Sequence, residues 1–246
     1  MRIAVLADIH GNLRALEAVQ SDLRKQSPDL VVNLGDHLSG PLQAAATADS
    51  LMNESYIHIR GNHDRQLLDR SVEEMGLSDR AAHSQLNSRH RAWLQGLPAT
   101  VELEPGILLC HGSPNNDLEY LLEDVREDGV HPASVATIRK RLGDTAAKLV
   151  LCGHSHIPRV ISVGDAVQIV NPGSVGLPAY DDAQPFPHHM ETGSPHARYA
   201  LLDQKARGWR IACLAIEYDW RAASDEARGA DRPDWAYALA SGFALR

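Results

Sequence analysis

The fold is decided by the start of the chain, where residues 2–36 read RIAVLADIHGNLRALEAVQSDLRKQSPDLVVNLGD. This stretch begins with an apolar run that ends in Asp8, and its last residues repeat that pattern and end in Asp36. Between the two runs, Leu and Val recur at helical spacing after Asn12, which predicts an amphipathic helix with Asn12 as its N-cap. A strand–helix–strand unit of this kind brings both strand ends to one edge of a parallel sheet, where α/β folds place their sites.

The same pattern recurs further along the chain, each time with a different polar cluster after the apolar run. The later runs are YIHIRGNHD (56–64), GILLCHGSP (106–114) and AKLVLCGHSHIP (147–158). Helical spacing between and around them predicts helices over 65–75, 79–95 and 133–142. From about residue 158 the chain changes to short β-type runs, which predict a second sheet packed on the first.

The domain organisation is expected to be simple. A chain of 246 residues without a linker-like segment fits one domain over 1–246. Residues 178–196 are rich in Pro and His without periodicity, which predicts a long irregular loop. A C-terminal extension over about 221–246 has a weak helical pattern, and its aromatic residues would either cap the fold or form a contact in a homo-oligomer.

Charge and hydropathy exclude two classes of function. The 24 Lys and Arg against 32 Asp and Glu give a net charge of −8, so the chain has no basic stripe for extended nucleic acid. The N-terminal apolar run is too short for a signal peptide, and no stretch approaches the roughly 20 apolar residues of a membrane span. Three cysteines, without a C-x-x-C pair, suit a reducing compartment. We therefore expect a cytoplasmic protein without a membrane partner.

Clusters of His, Asp, Asn and Gly stand at the ends of five predicted strands. In chain order they are Asp8-x-His10, Gly35-Asp36, Gly61-Asn62-His63-Asp64, His111-Gly112 and Gly153-His154-x-His156. Each cluster alone occurs by chance, but five at strand ends in one chain indicate a shared metal site. Imidazole, carboxylate and amide oxygen suit Mn, Fe, Zn, Ni or Co, and the absence of thiolate argues against a structural zinc site.

The number of ligand candidates exceeds what one ion takes. Seven candidates, with one carboxylate able to bridge, fit two divalent transition-metal ions about 3.5–4 Å apart, a spacing that clamps a phosphoryl group. Mn is the first choice, with Fe, Ni, Zn or Co as alternatives. Two divalent ions less two carboxylates leave local positive charge, which lets an acidic protein attract a small phosphoester or nucleotide.

In this order, D-x-H, GD, GNHD, HG and GHSH resemble the motifs of the calcineurin-like metallophosphoesterase superfamily. NPGSVG (171–176) is similar to the segment that follows GHxH in the small bacterial and archaeal, phosphodiesterase-type members. The resemblance covers about residues 1–176 and implies a four-layer α/β/β/α sandwich of two mixed sheets, with metals at the C-terminal edge of both. It implies one ion held by Asp8, His10, Asp36 and His156, and a second held by Asp36, Asn62, His111 and His154.

The resemblance also implies the chemistry, which is hydrolysis of small-molecule or nucleotide-type phosphomonoesters or phosphodiesters by attack of a metal-bridging hydroxide. His63 then contacts the substrate phosphate and serves as general acid, with Asp64 orienting its ring. Members with Cys at the position of His63 are similar to pure diesterases, so His implies that monoesters are also handled. Arg60 and Asn12 are further candidates for substrate contact.

Other interpretations stay open. Phosphoprotein phosphatases and the symmetrical diadenosine tetraphosphatases carry GDxxDRG, whose Arg binds phosphate, whereas residues 35–40 read GDHLSG. This departure weakens the case for a Ser/Thr phosphoprotein phosphatase, and a dinucleoside polyphosphate hydrolase stays a further alternative. A non-catalytic scaffold on the same fold, similar to a retromer subunit, is the alternative of a different class. Such scaffolds lose ligands, and all seven are present here.

Overall fold

The computed structural model describes residues 1–103, 106–164 and 167–246, and strands and helices alternate along its first 69 residues. The strands are β1 (Arg2–Leu6), β2 (Leu30–Asn33), β3 (Ile57–His58), β4 (Val101–Leu103), β5 (Ile107–Leu109), β6 (Glu123–Arg126), β7 (Gly129–Pro132), β8 (Leu149–Leu151), β9 (Arg159–Val163), β10 (Val167–Asn171), β11 (Ala179–Asp182), β12 (His188–Glu191), β13 (Ala197–Lys205) and β14 (Gly208–Ile216). The helices are α1 (Leu13–Gln26), α2 (Ala44–Met52), α3 (Asn62–Asp69), α4 (Leu77–His83), α5 (Ser88–Gly96), α6 (Val135–Leu142), α7 (Trp220–Gly229) and α8 (Pro233–Ser241).

Both main sheets are mixed. The first has the strand order β14-β13-β1-β2-β3, in which β1, β2 and β3 are parallel and β13 and β14 are antiparallel to their neighbours. The second has the order β4-β5-β8-β10-β9, with β5, β8 and β10 parallel and the two edge strands antiparallel. The polar clusters identified in the sequence directly follow the C-terminal ends of these parallel strands.

The apolar run of β1 is continuous because both of its faces are buried. Ile3 and Val5 belong to the core between the two sheets, which also contains residues of β5, β8 and β10. Ala4 and Leu6 face the opposite way, into the core formed with α1, α7 and α8. On the outer face of the second sheet, α6 packs its buried side chains against β8 and β10. Two sheets therefore lie between two layers of helices, and the predicted four-layer sandwich is confirmed.

The helix boundaries differ from those predicted between residues 62 and 96. The helix expected over 65–75 begins earlier, at Asn62, so that the GNHD motif forms its first turn. The helix expected over 79–95 is two helices, α4 and α5, because the Asn87 side chain accepts a hydrogen bond from the backbone N–H of His90 and caps a new helix. The helix expected over 133–142 is α6, capped by Ser134.

The second sheet predicted to pack on the first is confirmed, but the β-type runs after residue 158 do not all belong to it. Strands β9 and β10 complete the second sheet, while β13 and β14 join the first. The prediction for the segment that follows NPGSVG was wrong. Residues 178–196 are not an irregular loop, because β11 and β12 pair as an antiparallel hairpin. The alternation of buried His188 and Met190 with exposed His189 is that of a strand, and the Pro-rich composition of the turn concealed it.

The C-terminal extension caps the fold. Trp235 and Leu239 of α8 lie in the core that α1 and the first sheet share, whereas Tyr237 is exposed. The capping option that the sequence left open is therefore the observed one. Among the described residues, no helix is long and apolar enough to cross a membrane.

Candidate functional site

The predicted metal ligands meet in two groups at the shared edge of the sheets. Asp8, His10 and His156 each offer a ligand atom, and these atoms lie within 4.8 Å of one another. A second group of the same kind consists of Asp36, His111 and His154. The amide Oδ1 of Asn62 lies 3.0 Å from His111 Nε2 and so belongs with this second group.

Asp36 lies between the two groups. Its Oδ2 is 3.3 Å from His111 Nε2 in one group and 3.9 Å from His10 Nε2 in the other. The side chain is almost fully buried, and its other oxygen accepts the backbone N–H of His63 at 2.8 Å. One carboxylate oxygen is thus within reach of a histidine from each group, which is the position that a bridging ligand needs.

The backbone of the site is strained at the ligands themselves. Left-handed φ angles occur at the following five of them: Asp8 (57°), His10 (53°), Asp36 (55°), His154 (68°) and His156 (60°). Non-Gly residues rarely adopt this conformation, and such residues cluster where function requires a particular side-chain direction. Neighbouring loops hold these turns together, since the N–H of His10 donates to Asp36 O at 3.0 Å.

The NPGSVG segment supports the first of these turns. Ser174 Oγ donates to Asp8 O at 2.7 Å, and the backbone N–H of Gly176 donates to the same carbonyl at 3.0 Å. A Cβ at Gly176 would collide with the Ile9 carbonyl, so only glycine allows this approach. The motif that follows GHSH in the sequence therefore braces the D-x-H turn.

The histidine tautomers are set by backbone carbonyls. The Nδ1 atoms of His10, His111 and His156 lie 2.8, 2.7 and 2.7 Å from the carbonyl oxygens of Ser39, Leu34 and Leu177. A carbonyl can only accept, so each Nδ1 carries the proton in the neutral ring. The Nε2 lone pairs are then free and point into the two groups, as in histidines that bind metals.

The donor set fits divalent cations. His10 Nε2 and His156 Nε2 lie 3.1 Å apart. In the neutral rings the proton is on Nδ1, so neither Nε2 atom can donate a hydrogen bond to the other. Asp8 Oδ2 is buried without a hydrogen-bond partner among the described residues. Lone pairs that converge in a buried space, beside an unsatisfied carboxylate oxygen, call for a shared cation.

Without an ion, electrostatics favour the metal-binding form at three of the ligands and a protonated form at two others. Burial lowers the pKa of His10 to about 4 and the pKa of His154 to about 3, so both rings are neutral at pH 7. Burial alone would raise the pKa of Asp36, but the His111 and His63 rings facing it outweigh burial and hold that pKa well below its usual range. Neutral imidazole and ionised carboxylate are the forms that coordinate metals.

Burial raises the pKa of Asp8 to about 8. Burial alone would lower the pKa of His111, but the charge of Asp36 and the hydrogen bond to it outweigh burial and raise that pKa to about 10, so a cation must displace a proton from each of these two groups.

The structure assigns different partners to the two predicted catalytic residues. His63 lies in the first turn of α3, and its Nδ1 is 2.7 Å from Asp79 Oδ1. Asp64 does not orient the His63 ring, as the sequence suggested, because its oxygens are taken by other donors. These donors are the backbone N–H groups of Asp36 (2.8 Å), His37 (3.0 Å) and Gly61 (3.0 Å) and the Nδ1 of His37 (2.7 Å). Asp64 therefore ties the GD turn to the GNHD turn, and His37 is fully buried beside it.

The two predicted substrate contacts are not supported. Asn12 is buried, caps α1 by accepting from the Ala15 N–H, and donates to Gly176 O at 2.9 Å and to Tyr218 OH at 3.2 Å. Its polar atoms are therefore engaged within the fold. Arg60 is not among the described residues that line the cavity at the site, and its backbone N–H donates to Pro98 O at 2.7 Å.

A cavity of about 990 Å³ opens over the metal ligands, with His63 in its lining. Its walls come from elements that carry no motif, and they include Tyr120, Tyr180, Arg232, Trp235 and Leu245. The Tyr120 ring stacks on His154 at a centroid distance of 4.7 Å, and Tyr180 OH donates to the His154 carbonyl at 3.1 Å. Sequence patterns did not single out Tyr120, Tyr180 or Asp79, and only the aromatic content of the C-terminal extension indicated Trp235.

Comparisons with known proteins agree with this geometry. The model of the calcineurin-like phosphoesterase superfamily domain matches residues 1–193. An uncharacterised protein of Methanocaldococcus jannaschii is 25% identical over 95% of this chain and 94% of its own. The crystal structure of a metallophosphoesterase from Sphaerobacter thermophilus is 26% identical, with a TM-score of 0.75 over 98% of this chain and all (100%) of that one. A putative diadenosine tetraphosphatase shares the fold at 17% identity and a TM-score of 0.57, over 89% and 94% of the two chains. The chain belongs to the calcineurin-like phosphoesterase superfamily.

Proposed function

We propose that the protein is a dinuclear-metal-dependent phosphoesterase that hydrolyses small-molecule or nucleotide-type phosphomonoesters and phosphodiesters. The observation that carries the proposal is the position of Asp36, whose Oδ2 reaches one histidine of each ligand group at the floor of an open cavity. All seven ligands expected for such an enzyme are present and converge, which argues against a scaffold that has lost its site.

Asp8, His10, Asp36 and His156 would hold one ion, and Asp36, Asn62, His111 and His154 the other. The mixture of imidazole, carboxylate and amide ligands favours a first-row transition metal, with Mn as our first choice and Fe, Ni, Zn or Co as alternatives. Two such ions would polarise the phosphoryl oxygens and lower the pKa of water at the site. The protein supplies the fixed positions of the ligands, through the bonds of Ser39, Leu34 and Leu177 to the histidine rings.

We infer that His63 assists the leaving group. Its side chain is 33% exposed and lines the cavity, while its Nδ1 is engaged with Asp79. Burial alone would lower its pKa, but the charge of Asp36 and the hydrogen bond to Asp79 outweigh burial and raise the pKa to about 9. The Nδ1 contact with Asp79 leaves Nε2 facing the cavity, and from the protonated ring Nε2 can donate a proton to the departing oxygen as the P–O bond breaks.

The cavity supports a substrate larger than a phosphate group. A volume of about 990 Å³ is at the upper end of the range for small-molecule sites and leaves room for an organic group as large as a nucleoside. Two of the arginines in its lining are already paired, because Arg232 Nε donates to Asp234 at 2.9 Å and Arg141 Nη2 to Asp124 at 2.8 Å. The lack of an Arg in GDHLSG favours small esters over phosphoproteins.

The experiment is a substrate panel. Metal-free protein is loaded with Mn, Ni, Co, Zn or Mg and assayed on chromogenic mono- and diesters, nucleotides, dinucleoside polyphosphates and a phosphoprotein. We expect hydrolysis of small esters with a transition metal, and little release of phosphate from the phosphoprotein. Faster phosphate release from the phosphoprotein than from every small ester would reverse the ranking, and no hydrolysis under any condition would refute the function.

A single domain over 1–246 and a cytoplasmic location remain further predictions.

A further inference from the structure

Asp79 lies outside every motif of the sequence, yet its carboxylate is buried at the edge of the site. It stands in the first turn of α4 and is 2% exposed. Its Oδ1 accepts two hydrogen bonds, one from Ser39 Oγ at 2.6 Å and one at His63 Nδ1 at 2.7 Å. A buried carboxylate with two short hydrogen bonds has a defined position, and so have the groups that donate to it.

The contact with Asp79 fixes which nitrogen of His63 faces the substrate. An ionised carboxylate only accepts hydrogen bonds, so Nδ1 must carry a proton. Nε2 makes no hydrogen bond to any residue in the described part of the chain, and the exposed part of the ring lies in the cavity lining. The ring is therefore held with Nε2 free for a group in the cavity.

Asp79 also connects His63 to the first metal-ligand group. Ser39 donates its hydroxyl to Asp79 and accepts the Nδ1–H of His10 at its carbonyl, 2.8 Å away. One short residue thus spans the distance between a metal ligand and the partner of His63.

The position of Asp79 is fixed by neighbours from two other elements. The backbone N–H of Gly40, in the loop after β2, donates to Ser78 O at 3.2 Å. Arg232, at the start of α8, donates from Nη1 to Ser78 Oγ at 3.0 Å, and its guanidinium lies over the Trp235 ring. The C-terminal extension therefore supports α4 at the residue next to Asp79.

We propose that Asp79 is the positioning residue of His63, holding Nδ1–H so that Nε2 is aimed at the leaving oxygen of a phosphoester. The expected effect on kinetics rests on the proposed function, whereas the contact between Asp79 and His63 does not. Asp64, the carboxylate nearest to His63 in sequence, is excluded from the role because its oxygens already accept four hydrogen bonds from the GD and GNHD turns.

A double-mutant cycle tests the proposal with Asp79→Asn, which keeps a neutral acceptor, and Asp79→Leu, which keeps none. Both should retain two ions per chain. We expect kcat on alkyl phosphates to fall by about 10-fold to 100-fold, more for Leu than for Asn, with a clearly smaller loss on nitrophenyl esters. In a His63→Ala background the same substitutions should cause no further loss, because Asp79 acts through His63. Asp128→Asn, at an exposed carboxylate, is the matched control.

Nuclear magnetic resonance gives a readout that does not need turnover. In zinc-loaded protein labelled with 15N-histidine, we expect a downfield, slowly exchanging Nδ1–H signal that His63→Ala removes and therefore assigns. The signal should be lost in Asp79→Leu. Its persistence there, its absence in the wild type, or kinetic losses that multiply in the His63→Ala background would overturn the proposal. If no ester were hydrolysed at all, the proposed function would fail. The Nδ1–H signal would still show whether Asp79 holds the His63 ring.

Discussion

His10 Nε2 lies 3.1 Å from His156 Nε2, while the Nδ1 of each ring is bonded to a backbone carbonyl. His10 follows β1 of the first sheet, and His156 follows β8 of the second. The two loops thus direct the Nε2 lone pairs of these histidines at one point. The arrangement is costly without a cation and favourable with one, because buried polar atoms without partners lose their hydration.

Removing one of these rings should remove one ion. We expect His10→Ala to bind a single ion per chain, since the second group, with Asp36, Asn62, His111 and His154, keeps its full set of ligands. Elemental analysis after reconstitution and desalting measures the stoichiometry. His131→Ala, at an exposed histidine outside the site, should keep two ions. Two tightly held ions in His10→Ala would show that His10 is not a ligand.

His63→Ala should separate substrates by leaving group. General acid catalysis is typically worth about 10²-fold to 10⁴-fold, so a loss of that size is expected on alkyl phosphates, whose alkoxide needs a proton. Nitrophenyl esters should lose clearly less, because nitrophenolate leaves without help. Steady-state kinetics on both ester types, with the metal content measured in parallel, make the test. Equal losses accompanied by the loss of one ion would mean that His63 supports the metals instead.

Asp64→Ala should destabilise the fold. The substitution leaves four donors of the GD and GNHD turns without their acceptor, including the ring of the fully buried His37. Breaking a buried pair of this kind costs roughly 3–5 kcal/mol of the free energy of unfolding. Urea denaturation of the metal-free protein measures the change, and Asp128→Ala is the exposed control, expected within about 0.5 kcal/mol of the wild type. A stable Asp64→Ala protein that loses only catalysis would restore the role suggested by the sequence.

The end of the chain should influence the size of substrate accepted. The backbone N–H of Ala244 donates to Glu191 Oε1 of β12 at 3.0 Å, and this hydrogen bond places Leu245 in the cavity lining. We expect Leu245→Ala to raise KM for nucleotide-sized esters by roughly 4-fold for each CH₂ group that no longer packs on the substrate, and to leave KM for methyl-type esters unchanged. Phe243→Ala is the matched control, since Phe243 is exposed and is not among the described lining residues. Equal changes for large and small esters would contradict a role in binding the organic group.

Sequence reasoning succeeded where a local pattern is repeated. The apolar runs of β1 and β2 end in Asp8 and Asp36, and the parallel arrangement of the strands was enough to bring their ends together. All seven ligand candidates lie in the two groups for the same reason. The capping role of Asn12 was likewise visible, because it depends on residues three positions apart.

Contacts between distant segments were not predictable from those patterns. Asp79 is 40 residues from Ser39 and belongs to a helix whose sequence carries no signal of the site. Asp64 is adjacent to His63 in the chain, but the first turn of α3 directs it to the GD turn instead. Arg60 illustrates the same point, because a charged residue beside a motif need not reach the cavity that the motif serves.

The central claim is that two ions act together on one phosphoester. It is tested by adding Mn²⁺ to metal-free protein in measured equivalents and recording the initial rate of diester hydrolysis after each addition. We expect a rate that is low after the first equivalent, rises with the second and then stays constant at two per chain. A rate that reaches its plateau at one equivalent, with no further gain from the second, would show that a single ion is sufficient and would refute the dinuclear mechanism.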